Sequence, residues 1–513
     1  MKAKQHRERA VKRGAKKSWL VYGLRQLTFS LLVVGLSGGC KKATDYLLDP
    51  NKPIHISPSG ILPAISRNAF SNSGGMADVA MRYLVRTDLP ENYENLAWDV
   101  GSYNDYGVLR LVNKLQQEAL YEHKEQYLGI VKFFRAYYFF RITRMFGDVP
   151  YREALKGEDG SAGPGRLMPV YDRQKDIVLG ILQELEEANE LMRSKSGTAV
   201  EGDITYGGNL DKWRRLVNTF ALRVLMQLSV RENDPALQIK QRFANIVNDP
   251  VKYPLMRNIE DNAAFRYLDE IGNRSSFYNN SGLISGSYRM SASFVNQLKE
   301  WQDPRLFLYA DITTNAAQAG LQPGDFNAYG GAEASMPLTE VKDSVAAGNV
   351  SKINARYYSQ PVIEPYVMLG YWELMFLLAE AVEREWINGD AAEYYAKGVR
   401  ANFEYYALLP SADNYLQQEK VQYKKATGIQ QINMQKYIAC FYQSGWEPFF
   451  NYHRTGVPFI KIGKGQVRDK MPFRWLYPRS ESLLNKTNLQ AAIHNQGFVQ
   501  DDVEGKLWMY KPY

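Results

Sequence analysis

The sequence predicts an all-α protein in which several degenerate helix pairs are joined by long irregular loops. Several long segments repeat apolar residues at the three- and four-residue spacing of an amphipathic helix. Recognisable helix start and stop signals bound these segments. Because no long Pro-, Gly- or Ser-rich linker divides the chain, we expect one large helical domain rather than several smaller ones.

The first periodic segment, residues 107–146, is predicted to form two helices. The second helix, over 131–146, is rich in aromatic residues, and we expect these rings to face the core rather than a ligand. The Gly-Asp-Val-Pro run at 147–150 supplies the glycine and the proline that typically end a helix. Further helices are predicted at 171–192 and 211–230, each with one apolar stripe.

A helical hairpin is predicted over residues 366–406. Its first helix ends near Asn388-Gly389, and Asp390 caps the second helix with Glu393 at the third helical position, which is a capping-box pattern. The pair resembles a tetratricopeptide unit, although no strict period of about 34 residues runs through the chain. Four glutamates of the first helix are expected to form its solvated or capping face: Glu373, Glu380, Glu383 and Glu385.

Residues from about 250 to 360 differ from the rest of the chain. They are rich in Gly, Asn, Ser and Tyr and weakly periodic, with one helix predicted near 291–301. Long irregular stretches in a compact body are usually functional or mobile. We interpret this region as a loop-rich insertion, and we expect ligand-contacting loops here and at 90–106.

The N-terminus has the parts of a secretory signal. A basic run leads into an apolar segment, 26–36, and small residues then precede Cys40. About eleven apolar residues are too few to span a bilayer, which needs about twenty. The Cys40 context resembles a bacterial lipobox, so we interpret 1–39 as a lipoprotein signal peptide, Cys40 as the lipid attachment site, 40–60 as a tether and 61–513 as the domain. The alternatives are a plain signal peptide with an incidental cysteine, or an uncleaved anchor.

The net charge of +8 is concentrated in this predicted signal. Nine of the 63 Lys and Arg residues and one of the 55 Asp and Glu residues precede Cys40, which leaves 54 of each sign after it. The predicted mature chain is therefore close to neutral. Nucleic-acid binding needs a retained basic surface, so no nucleic-acid partner is expected.

Cysteine use is minimal, with Cys40 and Cys440 alone. If Cys40 carries lipid, no intrachain disulfide can form, and a chain of this size buries enough apolar surface to be stable without one. Cys440 follows an apolar helical run and is expected to be a buried small hydrophobic residue rather than a nucleophile.

The sequence carries no recognisable catalytic or cofactor motif. None of the five His residues stands in a metal-binding spacing such as His-Glu-x-x-His. A nucleophile elbow, a phosphate-binding loop and a dinucleotide fingerprint are also absent from the sequence. We therefore expect no enzymatic activity, no cofactor and no metal site. Carboxylates are abundant, so a surface glycoside hydrolase with a carboxylate pair stays open as an alternative.

Several short motifs follow one another in a distinctive order. They are Arg135-Ala136-Tyr137-Tyr138-Phe139-Phe140 with Gly147-Asp148-Val149-Pro150, then Trp213 to Arg223, Asp303-Pro304-Arg305, Glu373 to Ala381, Arg474-Trp475-Leu476-Tyr477-Pro478 with Glu481, Asn485 and Asn488, and Lys506-Leu507-Trp508. This ordered set behind a lipobox resembles the SusD/RagB family of outer-membrane nutrient-binding lipoproteins. The resemblance is strongest to the subgroup that ends in Arg-x-x-Tyr-Pro…Glu…Asn.

The resemblance implies a helical fold built on tetratricopeptide-like pairs and a non-enzymatic role. It implies a lipid-anchored receptor on the outer face of the outer membrane, which serves as the lid of a SusC-like TonB-dependent transporter. The ligand would be an oligosaccharide or, as in some members, a peptide. Binding residues vary within the family, so none is carried over to this chain. A tetratricopeptide-type assembly scaffold is the third possibility.

Two arginines of these motifs, Arg305 and Arg474, are expected to tie loops together through carboxylates and carbonyls rather than to touch a ligand. Asp148 and Glu481 are the kind of partner that such a role requires.

Ligand contacts are expected from aromatic residues in loops. Sugar rings stack their apolar C–H faces on Trp or Tyr, and their hydroxyls need polar side chains nearby. Loop aromatics and one arginine with such neighbours are the candidates: Trp98, Tyr103, Tyr106, Phe277, Tyr278, Tyr288, Arg289 and Tyr329. The alternative for each ring is that it packs a loop onto the helical body.

Overall fold

The computed structural model describes residues 55–70, 75–98, 101–157 and 167–513. Residues Ser57–Tyr513 form one compact unit that is mostly helical, as predicted. The predicted signal peptide, Cys40 and most of the predicted tether lie outside the described residues. The first described helix begins at Pro58, so the last three residues of that predicted tether are helical.

The helices of the described residues follow one another along the whole unit. In chain order they are α1 Pro58–Phe70, α2 Met76–Ala80, α3 Asn104–Tyr121, α4 Leu128–Phe146, α5 Gln174–Ser194, α6 Leu210–Gln227, α7 Ile239–Asn248, α8 Ser281–Ser285, α9 Ala292–Glu300, α10 Leu306–Tyr309, α11 Thr314–Gln318, α12 Leu338–Ala346, α13 Arg356–Ser359, α14 Tyr371–Glu383, α15 Ala391–Tyr405, α16 Ala412–Leu416, α17 Gly428–Ala439, α18 Glu447–Thr455, α19 Arg479–Leu484 and α20 Lys486–Asn495. No helix in the described ranges is long and apolar enough to cross a membrane.

Four short strands form two small antiparallel sheets. They are β1 Leu84–Arg86, β2 Ala263–Phe265, β3 Tyr288–Met290 and β4 Tyr366–Leu369. β1 pairs with β3, and β2 pairs with β4. Each pair joins segments that are distant in the sequence, so the sheets hold loops from the middle region against the helical body.

The aromatic helix α4 lies at the centre of the core, as predicted. Its phenylalanines and tyrosines are buried, and Phe133, Tyr137 and Phe140 contact the ring of Phe220 on α6. The helix ends at Gly147, whose φ of +90° is a conformation that residues other than glycine rarely adopt. A Cβ atom at this position would also lie 1.8 Å from Gln496 Oε1, so only glycine fits.

The predicted hairpin of 366–406 is present, with one correction at its start. Residues Tyr366–Leu369 form β4 instead of the first turn of the helix, because their backbone pairs with β2. α14 begins at Tyr371, and α15 begins after Asp390, whose Oδ1 accepts the backbone N–H groups of Ala392 and Glu393. The Glu393 carboxylate contacts Lys397 Nζ at 2.6 Å.

Replacing this cap tests how much the turn of the hairpin contributes to stability. Asp390→Ala removes the acceptor for two backbone N–H groups, and we expect it to lower the free energy of unfolding by about 1 kcal/mol. Urea denaturation measures the change as a lower midpoint with an unchanged slope. Asp390→Asn keeps a capping oxygen and should stay close to the wild type; an equal loss in both variants would contradict the capping role.

The prediction that the glutamates of α14 form a solvated face is wrong for Glu373 and Glu380. Both are buried, because α14 is covered on more than its apolar side. Glu373 forms a two-pronged pair with Arg223 of α6, at 2.8 and 2.6 Å. Glu380 pairs with Arg454 of α18. At these two positions α14 therefore faces cations from neighbouring helices and not water.

The two motif arginines tie loops together, as predicted, but through other carboxylates than the expected ones. Arg305 binds Asp303, and Arg474 Nη1 lies 2.7 Å from Asp501 Oδ1. Asp148 instead accepts the backbone N–H of Gln174 at the start of α5. Glu481 accepts the Tyr171 hydroxyl.

The middle region contains the predicted helix, observed as α9, and additional short elements. α12 was not predicted from the sequence; it buries Val341 alone, so its apolar stripe is too short to give a clear periodic signal. The strands β2 and β3 also lie here. Much of the region remains irregular, and it forms one wall of the candidate site.

Candidate functional site

A cavity of about 270 Å³ opens between α2, β1, the 276–288 segment and the residue Tyr442. Its walls combine apolar and aromatic side chains with two small polar ones. The lining residues are Gly75, Met76, Leu84, Ser276, Phe277, Asn280, Leu283, Tyr288 and Tyr442. Ser276, Asn280 and Met76 are exposed at its mouth, so the cavity is accessible from solvent.

The pairing of β1 with β3 places Tyr288 in the wall. Arg86 stands opposite Tyr288 in the register, and its guanidinium lies 5.4 Å from the centre of the Tyr288 ring. Arg86 is in turn held by Asp88 at 2.9 Å and Glu91 at 3.3 Å. The ring is therefore fixed by a cation–π contact. Burial raises the pKa of the Tyr288 hydroxyl, which stays a neutral hydrogen-bond donor.

Phe277 and Asn280 are positioned by the turn that leads into α8. The Asn280 side chain caps this helix by accepting the backbone N–H of Leu283 at 3.1 Å. The Phe277 ring lies 4.2 Å from the ring of Tyr442 and forms the apolar back of the cavity. The Tyr442 backbone has a φ of +55°, so its ring reaches the cavity at a conformational cost that packing must offset.

Two of the predicted site residues meet in this cavity. Phe277 and Tyr288 line it together, although they come from separate candidate stretches of the sequence. Tyr278 is half-buried beneath the guanidinium of Arg274, at 5.4 Å, and does not line the cavity. Arg289 donates to the carbonyls of Gly286 and Val350, so its side chain holds the loop.

The remaining predicted ligand residues are packed into the body. Trp98 is 1% exposed and stacks on Phe449, with ring centres 4.9 Å apart. The Tyr106 hydroxyl donates to the Pro150 carbonyl. The Tyr103 ring packs edge-on against Phe146. These rings pack a loop onto the helical body instead of facing a ligand, and they are not part of the candidate site.

Tyr329 also lies away from the cavity. It is 3% exposed, and its hydroxyl donates to the Pro323 carbonyl at 2.6 Å. Conversely, no local pattern in the sequence indicates Met76 and Tyr442 as wall residues. Tyr442 follows an apolar helical run, and only the fold brings it next to Phe277. Ser276 and Asn280 lie in a stretch that the sequence does indicate.

The described residues give no geometric support for metal or thiol chemistry. They contain no group of three or more His, Cys, Asp and Glu side chains that could hold a metal ion. Burial raises the pKa of Cys440 to about 12, which keeps its thiol protonated. Burial likewise lowers the pKa of His453 to about 3, so this imidazole, packed against Phe449 and Phe473, is neutral.

The model of a SusD-like family, described as starch-binding and associating with the outer membrane, matches residues 66–478. No curated protein matches the sequence. An outer membrane protein of Bacteroides vulgatus ATCC 8482, described in connection with nutrient binding, is 37% identical with a TM-score of 0.82; the match covers 89% of this chain and 100% of that one.

Two further structures extend this similarity. A SusD homologue from Bacteroides fragilis NCTC 9343 is 35% identical with a TM-score of 0.82, over 90% of this chain and 100% of that one. A chitin-binding SusD homologue from Flavobacterium johnsoniae shares the fold at 19% identity and a TM-score of 0.70, over 88% of this chain and 98% of that one. The family match covers most of the chain, and the two closer structures exceed 30% identity over nearly their whole length. This chain therefore belongs to the SusD-like family of nutrient-binding outer membrane proteins.

Proposed function

We propose that this chain is a cell-surface lipoprotein that captures an oligosaccharide and delivers it to a SusC-like TonB-dependent transporter. Its family membership supports a binding role at the outer membrane. In this proposal the protein also acts as the lid of the transporter. The ligand favours the closed arrangement because it binds the closed state more tightly than the open state.

The single observation that carries the ligand class is the composition of the 270 Å³ cavity. The rings of Phe277 and Tyr288 offer apolar faces for the C–H surface of a sugar. The exposed polar groups of Ser276 and Asn280, with the Tyr288 hydroxyl, are available for its hydroxyls. This volume is slightly below the usual range of ligand pockets, about 300–1,000 Å³. The cavity therefore suits one terminal sugar unit, with the rest of the oligosaccharide outside it.

Two other functions make different predictions for the same protein. A glycoside hydrolase needs two carboxylates about 5–10 Å apart in the cleft. The described residues that line the cavity include neither Asp nor Glu, which favours binding over hydrolysis. An assembly scaffold would bind a protein and give no heat with sugars or peptides.

Calorimetric screening of the purified protein against glycans and peptides tests the proposed function. We expect binding of at least one oligosaccharide class without product formation by mass spectrometry. Binding of peptides alone would replace the oligosaccharide by a peptide ligand and keep the receptor role. Turnover of a glycan, or the absence of binding to both panels, would contradict the proposal.

The proposed anchor at Cys40 has its own test. Acyl chains attached to Cys40 would hold the protein at the membrane, and more than one chain is needed for a stable hold. We expect Cys40→Ala to move the protein from the membrane fraction to the soluble fraction, or to block its export. Cys440→Ala is the matched control and should remain with the membrane. If Cys40→Ala still fractionates with membranes, the anchor is not at this cysteine.

A further inference from the structure

A second cavity, of about 440 Å³, lies between α5, α6 and α7. It shares no lining residue with the candidate sugar site. Its floor is formed by Leu182 and Leu185 of α5 and by Leu225 of α6, all of them buried. These leucines belong to the apolar stripes that pack the two helices together, so the floor is rigid. The volume lies within the usual range for small-molecule sites.

One cation in the wall of this cavity lacks a partner. The side chain of Arg242 on α7 makes no hydrogen bond or ion pair within the described part of the chain, and its Nε atom is shielded from solvent. The arginines of the neighbouring helix α6 are engaged: Arg214 donates to Asn189, and Arg215 donates to Asp261 at 2.9 Å. A shielded guanidinium N–H without an acceptor destabilises the protein unless a ligand supplies one.

Two polar groups of the wall, Glu186 and Asn245, are engaged with other residues. Glu186 is already bound through Oε1 to the Tyr253 hydroxyl at 3.0 Å and to Lys252 Nζ at 2.9 Å. Asn245 uses its carbonyl oxygen to accept from Gln241 at 2.7 Å, so it offers the cavity an amide N–H donor. The cavity thus combines an apolar floor with a cation and a second donor, and its carboxylate is already paired.

We propose that this cavity binds a small organic carboxylate with an apolar body. The carboxylate accepts hydrogen bonds from the Arg242 guanidinium, which offers the paired N–H geometry that suits two carboxylate oxygens. The apolar part packs on Leu182, Leu185 and Leu225. This inference is independent of the proposed sugar site, because the two cavities lie on different elements.

Octanoate and the uncharged octanol are the probes of this proposal, measured by calorimetry on the purified full-length protein. Octanoate is expected to bind at least tenfold more tightly than octanol, because only the carboxylate accepts from Arg242. Arg242→Gln should remove this tenfold preference, whereas Arg242→Lys should keep part of it through its charge. Arg193→Gln, an exposed arginine on α5 outside the cavity, is the matched control and should bind like the wild type.

Two further measurements test whether the loss of octanoate binding is specific to the Arg242 cavity. Arg242→Gln should unfold at the same temperature as the wild type or slightly above it, since it removes a shielded N–H that lacks an acceptor within the described residues. Ser276→Trp, which fills the sugar cavity, should leave octanoate binding unchanged. Equal affinity for octanoate and octanol, no binding of octanoate at millimolar concentration, or undiminished preference in Arg242→Gln would each overturn the proposal.

Discussion

Glu380→Ala is expected to lower the free energy of unfolding by about 3–5 kcal/mol, because it leaves the buried Arg454 guanidinium without its counter-charge. Glu380 is 0% exposed and its partner Arg454 is 1% exposed. Arg454 Nη2 lies 2.8 Å from one carboxylate oxygen of Glu380, and Arg384 Nε lies 2.9 Å from the other. Without the carboxylate, the Arg454 guanidinium retains only neutral acceptors such as Asn433 and Asn451.

The pH dependence of this effect follows from the pKa of Glu380. The neighbouring Arg454 and Arg384 outweigh burial and hold this pKa far below its usual value of 4.5. As the pH falls, the Glu380 carboxylate is therefore protonated in the unfolded chain before it is protonated in the folded protein. The stabilisation is fully present above about pH 4.5 and is lost as the pH falls towards the folded-state pKa. The stability gap between the wild type and Glu380→Gln should narrow below about pH 4.5.

A matched control is available on the adjacent helix. Glu393→Ala also removes a glutamate that pairs with a cation, but Glu393 is 61% exposed. Exposed pairs contribute about 0–1 kcal/mol, so this variant should unfold close to the wild type. Urea denaturation of both variants measures the contrast. Similar losses for the two would mean that burial does not govern the strength of these ion pairs.

Tyr288→Ala is expected to weaken oligosaccharide binding by about thirtyfold, which corresponds to about 2 kcal/mol. The ring is fixed by the cation–π contact with Arg86 and faces the cavity beside Phe277. The alanine variant lacks the ring on which a sugar would stack, and it lacks the cation–π contact with Arg86 that holds this part of the cavity wall in place. Tyr288→Phe should retain most of the affinity, because it keeps the ring and loses only the hydroxyl.

Calorimetry with the glycan found by screening is the measurement, and thermal unfolding confirms that each variant is folded. Phe459→Ala, which removes an aromatic ring that is 82% exposed and outside the cavity, should bind like the wild type. Ser276→Trp should abolish binding by filling the mouth. If Tyr288→Ala and Ser276→Trp both bind normally, the ligand occupies another part of the surface.

The long helices could be predicted because their signals are local. The stripe of 171–192 predicts α5 at Gln174–Ser194, and the glycine and proline after Phe146 predict the end of α4. Each signal lies within a few turns of the element that it specifies. The short strand β4 could not be predicted in this way, because its partner β2 lies about a hundred residues earlier in the chain.

The residues of the candidate site were harder to predict than the long helices, because they depend on contacts between distant parts of the chain. An aromatic residue in a polar loop can either face solvent or pack the loop onto the body, and the sequence around Trp98 and Tyr288 does not distinguish the two. Trp98 is covered by Phe449 and Trp475, whereas Tyr288 is held at the cavity by Arg86 across a strand pair. These contacts come from residues far away in the sequence, so no local pattern carries them.

The sequence by itself determined the helical class, the core position of the aromatic helix and, through its ordered motifs, the family. Those features follow from residue spacing and order, which are properties of the chain. The tertiary structure alone decided that Glu373 and Glu380 are buried, that Phe277 and Tyr288 share one cavity and that Arg242 lies in another without a partner among the residues that the structure describes. Burial and pairing depend on which distant segments pack against a side chain, and this is settled only when the chain has folded.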